Sequence, residues 1–259
     1  MTGRLNGQLG LAALAIAACA IGAAVAADLP ANMVTKAPPA PLGLNWTGFY
    51  GGVNVGGSWG HQRTSLDSAT TGARLLSNSS HLDGAIGGGQ IGYNWQPLDR
   101  PWVFGVEADI QGSGQKADGS FFVGGIAAPG IVALPGDNIV YQDRLDWFGT
   151  LRGRIGWAMG ERSNWLPYIT GGLAFGQGTI SGNGAAGGIP VAFNTTSTYA
   201  GWVLGGGVEW AFWDRWSAKA EYLYIDFGRG GIIPLTPMVN INAGRMIDNV
   251  GRVGVNYHF

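Results

Sequence analysis

"WVFGVEADIQGSG", residues 102 to 114, decides the fold. Every second residue gives Trp102, Phe104, Val106, Ala108 and Ile110, and the intervening set is Val103, Gly105, Glu107, Asp109 and Gln111. Successive side chains of a strand point to opposite faces, so one face is apolar and the other carries two carboxylates. Periodicity does not say which of these faces meets water. The rest of the chain has to settle that.

Only 12% of the 259 residues are charged, against 46% hydrophobic, with 47 Gly and a formal net charge of -1. Soluble domains carry about 25% Asp, Glu, Lys and Arg, and a body of this size needs them to stay dispersed. The near-neutral balance leaves no basic footprint, which excludes nucleic acid as a partner.

Residues 1 to 27 read as a signal peptide: Arg4 in a short polar head, an apolar run from Leu9 to Val25, and small residues before Asp28. No charge-rich stop follows, which disfavours a retained anchor. The single cysteine, Cys19, sits in "IAAC", which resembles a lipoprotein acylation box, although "AVAADLP" supplies a cleavage site of its own. A mature chain cut after Ala27 has no cysteine, hence no disulfide, thiol nucleophile or thiolate metal site. Residues 28 to 45, rich in Pro and Ala, read as a disordered periplasmic lead-in to a barrel over 46 to 259.

Eight segments alternate with period two, at 47–59, 84–95, 102–112, 145–158, 166–177, 199–212, 216–227 and 248–259. Each is close to the ~9–11 residues that cross a bilayer as a tilted strand. "QPLDRP", "MGERSNW" and "WDR" make short connections, and the other four run to about 20–30 residues, the inequality of periplasmic turns and outer loops.

Tryptophans orient the faces. Trp46, Trp95, Trp102, Trp157, Trp165, Trp210, Trp213 and Trp216 lie beside the short turns or the chain's entry, where an aromatic girdle belongs. Trp59, Trp147 and Trp202 fall nearer the long connections, as an opposite belt requires. The apolar face of residues 102–112 therefore faces lipid, and Glu107 and Asp109 face a lumen. Open sheet edges in hydrocarbon leave unpaired backbone groups, so the eight strands close on themselves.

The same parity puts Leu145, Trp147, Leu151, Ile155 and Trp157 outside, and Arg152, Arg154, Glu209, Lys219, Glu221, Arg252 and Asn256 inside. Four bases face four acids. A constant index sum suggests Glu107 opposite Arg154 and Asp109 opposite Arg152, with Glu209 and Lys219 matched about "WDR". Pairing is how buried charges are tolerated, so the cluster reads as a plug of ion pairs, with a selective polar path as the alternative. The inward glycines Gly52, Gly88, Gly92, Gly105, Gly205 and Gly207 leave room for those side chains, and Gly105 is expected to accept a serine.

Signals for catalysis, cofactors and metals are thin, and none is expected. His61 and His81 fall in a long connection and His258 is penultimate. His81 with Asp83 is the one pair that could position a proton. "GGGQIG", with Gly87, Gly89 and Gly92, matches a dinucleotide fingerprint in letters only, since it opens no helix. The second long connection is apolar, with Phe121, Phe122, Val123, Ile126, Ile131, Val132 and Leu134, and is expected to close the mouth of the barrel or to hold a partner.

"NWTGFYGGVNVGGSWG", "AKAEYLYIDFG" and "NVGRVGVNYHF" resemble the outer-membrane β-barrel family of immunogenic, porin-family surface proteins, itself similar to the eight-stranded OmpA-type transmembrane domain. The resemblance covers residues 45 to 259. It implies an all-β, eight-stranded antiparallel up-and-down barrel in the Gram-negative outer membrane, with short periplasmic turns and four long extracellular loops. It also implies outer-membrane lipid and lipopolysaccharide as surroundings, and the barrel-assembly machinery and periplasmic chaperones as partners. Val253, Val255, Tyr257 and Phe259 share one face and are similar to the terminal signal that this machinery reads. The implied role is structural display at the surface, with a narrow channel for small solutes or ions as the alternative.

Overall fold

In the computed structural model the described residues are 43–122, 124, 127–128, 131–132, 135–186, 188–236 and 239–259. The expected signal peptide, Cys19 and the expected lead-in up to residue 42 lie outside them, as do Val123, Ile126 and Leu134. Twelve strands follow in chain order: β1 Gly48–Ser68, β2 Arg74–Trp95, β3 Trp102–Ser113, β4 Lys116–Phe122, β5 Ala127–Ala128, β6 Ile131–Val132, β7 Asn138–Trp157, β8 Trp165–Ala186, β9 Ile189–Trp213, β10 Trp216–Arg229, β11 Ile232–Thr236 and β12 Val239–His258.

Eight of them form a ring. Pairing runs β1-β12-β10-β9-β8-β7-β3-β2 and is closed by β2 on β1, antiparallel throughout. β4 continues the line of β3 along β7, and β11 continues that of β10 along β12. No sheet edge is left in the ring, which is the condition for residing in hydrocarbon.

The long connections turn out to be strand rather than loop. β1 and β2 pair up to Asp67 opposite Arg74, and β8 and β9 up to Ala186 opposite Ile189. With 25 residues, β9 is about 80 Å of chain, far more than the ~9–11 residues a bilayer needs. The hydrogen-bonded ladder thus carries on beyond the lipid as β-arms, whose backbone groups satisfy one another instead of relying on water. The short turns use left-handed residues, Asp99 with φ of 61° and Gly160 with φ of 92°.

Burial answers the question posed by residues 102–114: Val106 and Ile110 are 58% and 60% exposed, whereas Glu107 and Gln111 are buried. Two positions depart from the expected parity. Leu145 faces inward, because a bulge between Leu145 and Trp147 inserts Asp146 and flips the faces above it. Trp46 is not part of a lipid-facing girdle. It is 1% exposed beneath the barrel, where its Nε1 donates to Ser163 O at 2.8 Å and its ring meets His258 edge-on at 5.7 Å. The preceding residue pair is held as well, since Leu44 N donates to Arg162 O at 2.8 Å. The last residues of the expected lead-in therefore strap across the short-turn end.

Inside, the barrel is layered. Trp46, Val103, Ala158 and Leu166 form an apolar floor. Charged side chains come next. Above them lies an apolar layer that includes Ile86, Phe148, Val203, Leu223, Ile225, Phe227 and Val250. A further cluster, with Leu66, Phe121, Ile139, Tyr141, Ile180 and Ile241, fills the arms. Phe121 is part of that filling, stacked on Tyr141 at 5.1 Å, while Phe122 is exposed.

Candidate functional site

The charged layer is the chemically distinctive place in the molecule. Glu107 and Asp109 come from β3, Arg152 and Arg154 from β7, Glu209 from β9, Lys219 and Glu221 from β10, and Arg252 from β12; all eight are buried. They meet because inward residues of neighbouring strands fall at one height when the ladder is in register.

That register differs from the index-sum expectation by two residues. Glu107 stands opposite Arg152, Arg154 opposite Gly105, and Asp109 opposite Thr150. Physically, β3 and β7 are joined by the long connection and no short turn pins their slide, and two registers related by a two-residue step leave every side chain on the same face. Glu209 does stand opposite Lys219, yet the lysine reaches across the lumen to Glu107, Nζ to Oε1 at 2.8 Å.

Arg152 binds three carboxylates: Glu107 Oε1 at 2.5 Å, Asp109 Oδ2 at 3.1 Å and Glu221 Oε1 at 2.8 Å. Arg252 reaches the same three, Asp109 Oδ2 at 3.1 Å, Glu221 Oε2 at 2.6 Å and Glu107 Oε1 at 3.6 Å. Arg154 turns to Glu209 at 2.9 Å, with Glu107 only at 3.8 Å.

Neutral side chains complete the layer, and reading charges alone missed them. Tyr50 Oη donates to Glu107 Oε2 at 2.7 Å and Tyr168 Oη to Glu221 Oε1 at 3.0 Å. The Arg154 guanidinium lies 4.7 Å from the Tyr50 ring centre and 5.2 Å from that of Tyr168, a cation–π sandwich. Gly92 and Gly207 make space for these phenols, since a Cβ on Gly92 would run into the Tyr50 hydroxyl and one on Gly207 would lie 2.9 Å from that of Tyr168. The parity of "FYGGV" and "LPYIT" already put both tyrosines inside.

Ser217, His258 and Glu209 also converge. His258 Nε2 lies 2.9 Å from Ser217 Oγ, but that hydroxyl donates to Glu209 Oε1 at 2.5 Å, and Ser217 is fully buried under Trp46 and His258. Its proton goes to the carboxylate and not to an imidazole, so these residue types do not form an activated nucleophile. His81 and Asp83 are exposed on one face of β2, with no hydrogen bond between them, and Gly87, Gly89 and Gly92 all lie within that strand. Among the described residues, no group of three His, Cys, Asp or Glu could hold a metal.

Of the expected girdle, Trp95, Trp102, Trp157, Trp165, Trp210, Trp213 and Trp216 are exposed at the short-turn end. Several pair, as Trp102 with Trp157 at 4.7 Å and Trp165 with Trp210 at 5.6 Å. Val253 and Val255 are exposed on the outer face of β12, Phe259 is exposed just past its end, and Tyr257 is half-buried against Trp216.

A closed antiparallel ring with apolar residues outside and paired charges inside is an integral outer-membrane β-barrel. The chain belongs to the outer membrane protein beta-barrel domain family, which is matched over residues 11–259. It is 35% identical over 250 residues to a 31 kDa outer-membrane immunogenic protein of Brucella melitensis biotype 1, covering 94% of this chain and 97% of that one. A 22 kDa outer membrane protein of Rhizobium leguminosarum bv. viciae is 28% identical over 194 residues, 74% of this chain and 69% of that one. Among solved structures, the outer membrane protein OprG from Pseudomonas aeruginosa is similar at 12% identity, covering 85% of this chain and all of that one, with a TM-score of 0.45.

Proposed function

We propose that the protein is a non-enzymatic, non-conducting barrel that stabilises the outer membrane and displays its β-arms at the cell surface. The observation carrying this reading is the closely packed level of Phe148, Leu223, Ile225 and Val250, with the hydrogen-bonded Ser58, Gln115 and Asp248 among them, above the ion-paired layer. A channel needs a continuous wet path, and a hydrophobic constriction sheds water. Two sealed layers in series, above a floor closed by Trp46, argue for a solid interior.

In this reading the short turns face the periplasm, the arms face outward among lipopolysaccharide, and residues 1–27 are removed as a signal peptide. Val253, Val255, Tyr257 and Phe259 serve as the assembly signal, aided by periplasmic chaperones, and the exposed tryptophans anchor the inner interface. The naming of the Brucella relative as immunogenic fits arms that stand clear of the membrane.

Single-channel recording of the refolded protein in planar bilayers tests the reading, with a flat baseline expected. Stepwise conductance would favour the narrow-channel alternative. Orientation is tested separately: a cysteine placed at Thr71, in the β1–β2 tip, is expected to react with an impermeant maleimide on intact cells.

A further inference from the structure

Four arginines of the arms converge on one groove. Arg63 of β1, Arg74 of β2, Arg229 of β10 and Arg245 of β12 line it, with a volume of about 370 Å³. Two irregularities open it at one height. The β1–β12 ladder slips between Gln62 and Thr64, and the β10–β12 ladder slips between Asp226 and Arg229, so β12 is loosened on both sides around Gly244.

The groove carries unspent positive charge. Asp226 is bound by Arg245, and Asp67 Oδ2 accepts from Asn242 Nδ2 at 3.0 Å. Among the described residues Arg63, Arg74 and Arg229 have no carboxylate partner, although all three are exposed. Elsewhere in this sparingly charged chain cations are paired or scattered, whereas here like charges are held together at a mutual electrostatic cost that a bound anion would relieve.

Its height points to the anion. Trp59 and Arg63 share the outer face of β1, the arginine four residues further from the short-turn end, about 10 Å along the normal of a tilted strand. Trp59 packs on Tyr222 and Trp202 on Tyr224 in the upper aromatic belt. Guanidiniums that far beyond the belt stand at headgroup level on the lipid-facing side.

We propose that Arg63, Arg74, Arg229 and Arg245 form a docking site for a phosphorylated lipid headgroup of the outer leaflet. This rests on the reading that the arms face outward. The planar fork of arginine suits bidentate contact with phosphate oxygens, and Asp226 pre-positions the guanidinium of Arg245 beside the three free ones.

The test uses the full barrel refolded in a neutral sugar detergent, which keeps it independent of sidedness in the cell. Bis-phosphorylated lipid A and its dephosphorylated form are titrated, and retained lipid is counted by native mass spectrometry. Wild type is expected to hold the phosphorylated form in preference, with an affinity that weakens as salt rises. Arg63→Gln, Arg74→Gln and Arg229→Gln are each expected to lower affinity about fivefold, the weight of one basic side chain near an anionic headgroup. Arg100→Gln with Arg215→Gln, at the opposite end, is expected to change nothing. Equal retention of the dephosphorylated lipid, or equal loss in the control variant, overturns the site. So does arginine-dependent binding of tripolyphosphate without binding of lipid A, which assigns the groove to a soluble anion. Unaltered heat-modifiable migration certifies each variant as folded, and the salt dependence of wild type is informative without any substitution. Labelling at Thr71 that placed the arms in the periplasm would overturn the orientation and leave the measured phosphate preference standing.

Discussion

Arg152 and Glu107 face each other directly across the β3–β7 ladder, and their side chains meet at 2.5 Å in a buried layer where Arg152 also serves Asp109 and Glu221. Removing the arginine takes a cation from three carboxylates in a low dielectric and leaves Lys219 and Arg252 as the cations closest to them. Arg152→Ala is expected to cost about 3–5 kcal/mol, and adding Glu107→Gln should recover part of it. The same glutamine paired with Arg154→Ala should recover less, because Arg154 leans on Glu209. Double-mutant cycles from urea unfolding in vesicles measure both couplings. A larger coupling for Arg154 would restore the rejected register.

Neighbouring positions on β3 should respond by different physics. Val106→Arg puts a charge against lipid and is expected to cost about 2–4 kcal/mol if it lies near the midplane. The expectation that Gly105 tolerates serine is revised by the structure. A Cβ there would lie 2.5 Å from Asn94 Oδ1 and 3.0 Å from Arg154 Cγ, so Gly105→Ser should lose about 1–3 kcal/mol through overpacking. Unfolding of Gly105→Ser at the wild-type midpoint would contradict this geometry.

Phe148 is fully buried and meets Phe227 edge-on at 6.1 Å. Phe148→Ala should lower stability by about 3–5 kcal/mol and still give a silent bilayer recording, since the charged layer beneath is untouched. Current through this variant would mean that the apolar layer alone holds the seal.

Asp143 lies in the arms, beyond Trp147, buried with no cation among the described residues paired to it; burial pushes its carboxyl up to about 7. Its charge also bears on the Tyr199 hydroxyl. Between about pH 4 and 7 the native state then binds more protons than the unfolded one, so stability falls as pH rises. The urea midpoint of wild type should be higher at pH 5 than at pH 8. Asp143→Asn should reduce that difference and raise the midpoint at pH 8. An identical pH profile in the two proteins would remove Asp143 as the cause.

How much of this was legible depended on which physical quantity the letters encode. Alternation fixes the face of a residue, so Glu107, Arg152 and Glu221 could be placed inside from spelling alone. The same alternation on β10, running Ser217, Lys219, Glu221, Leu223, Ile225 and Phe227, also spells the change from charged to apolar side chains along the lumen. Register is a different quantity. It depends on turn geometry and on bulges such as the one at Asp146, and a slide of two residues conserves every face. Trp46 was misplaced because proximity to a short turn does not distinguish a side chain beside the barrel from one tucked under it. Nor does hydropathy separate a strand that leaves the lipid from a loop, so the arms appeared as connections.

The charged layer has an electrical consequence. Moving one elementary charge through 100 mV takes about 2.3 kcal/mol, which is how voltage sensors work. In this barrel Glu107, Asp109, Glu209 and Glu221 are locked among Arg152, Arg154, Lys219 and Arg252 at a single depth. A field pulls the two sets in opposite directions with equal force, and rigid strands hold both still. This layer offers a transmembrane potential no gating charge to work on.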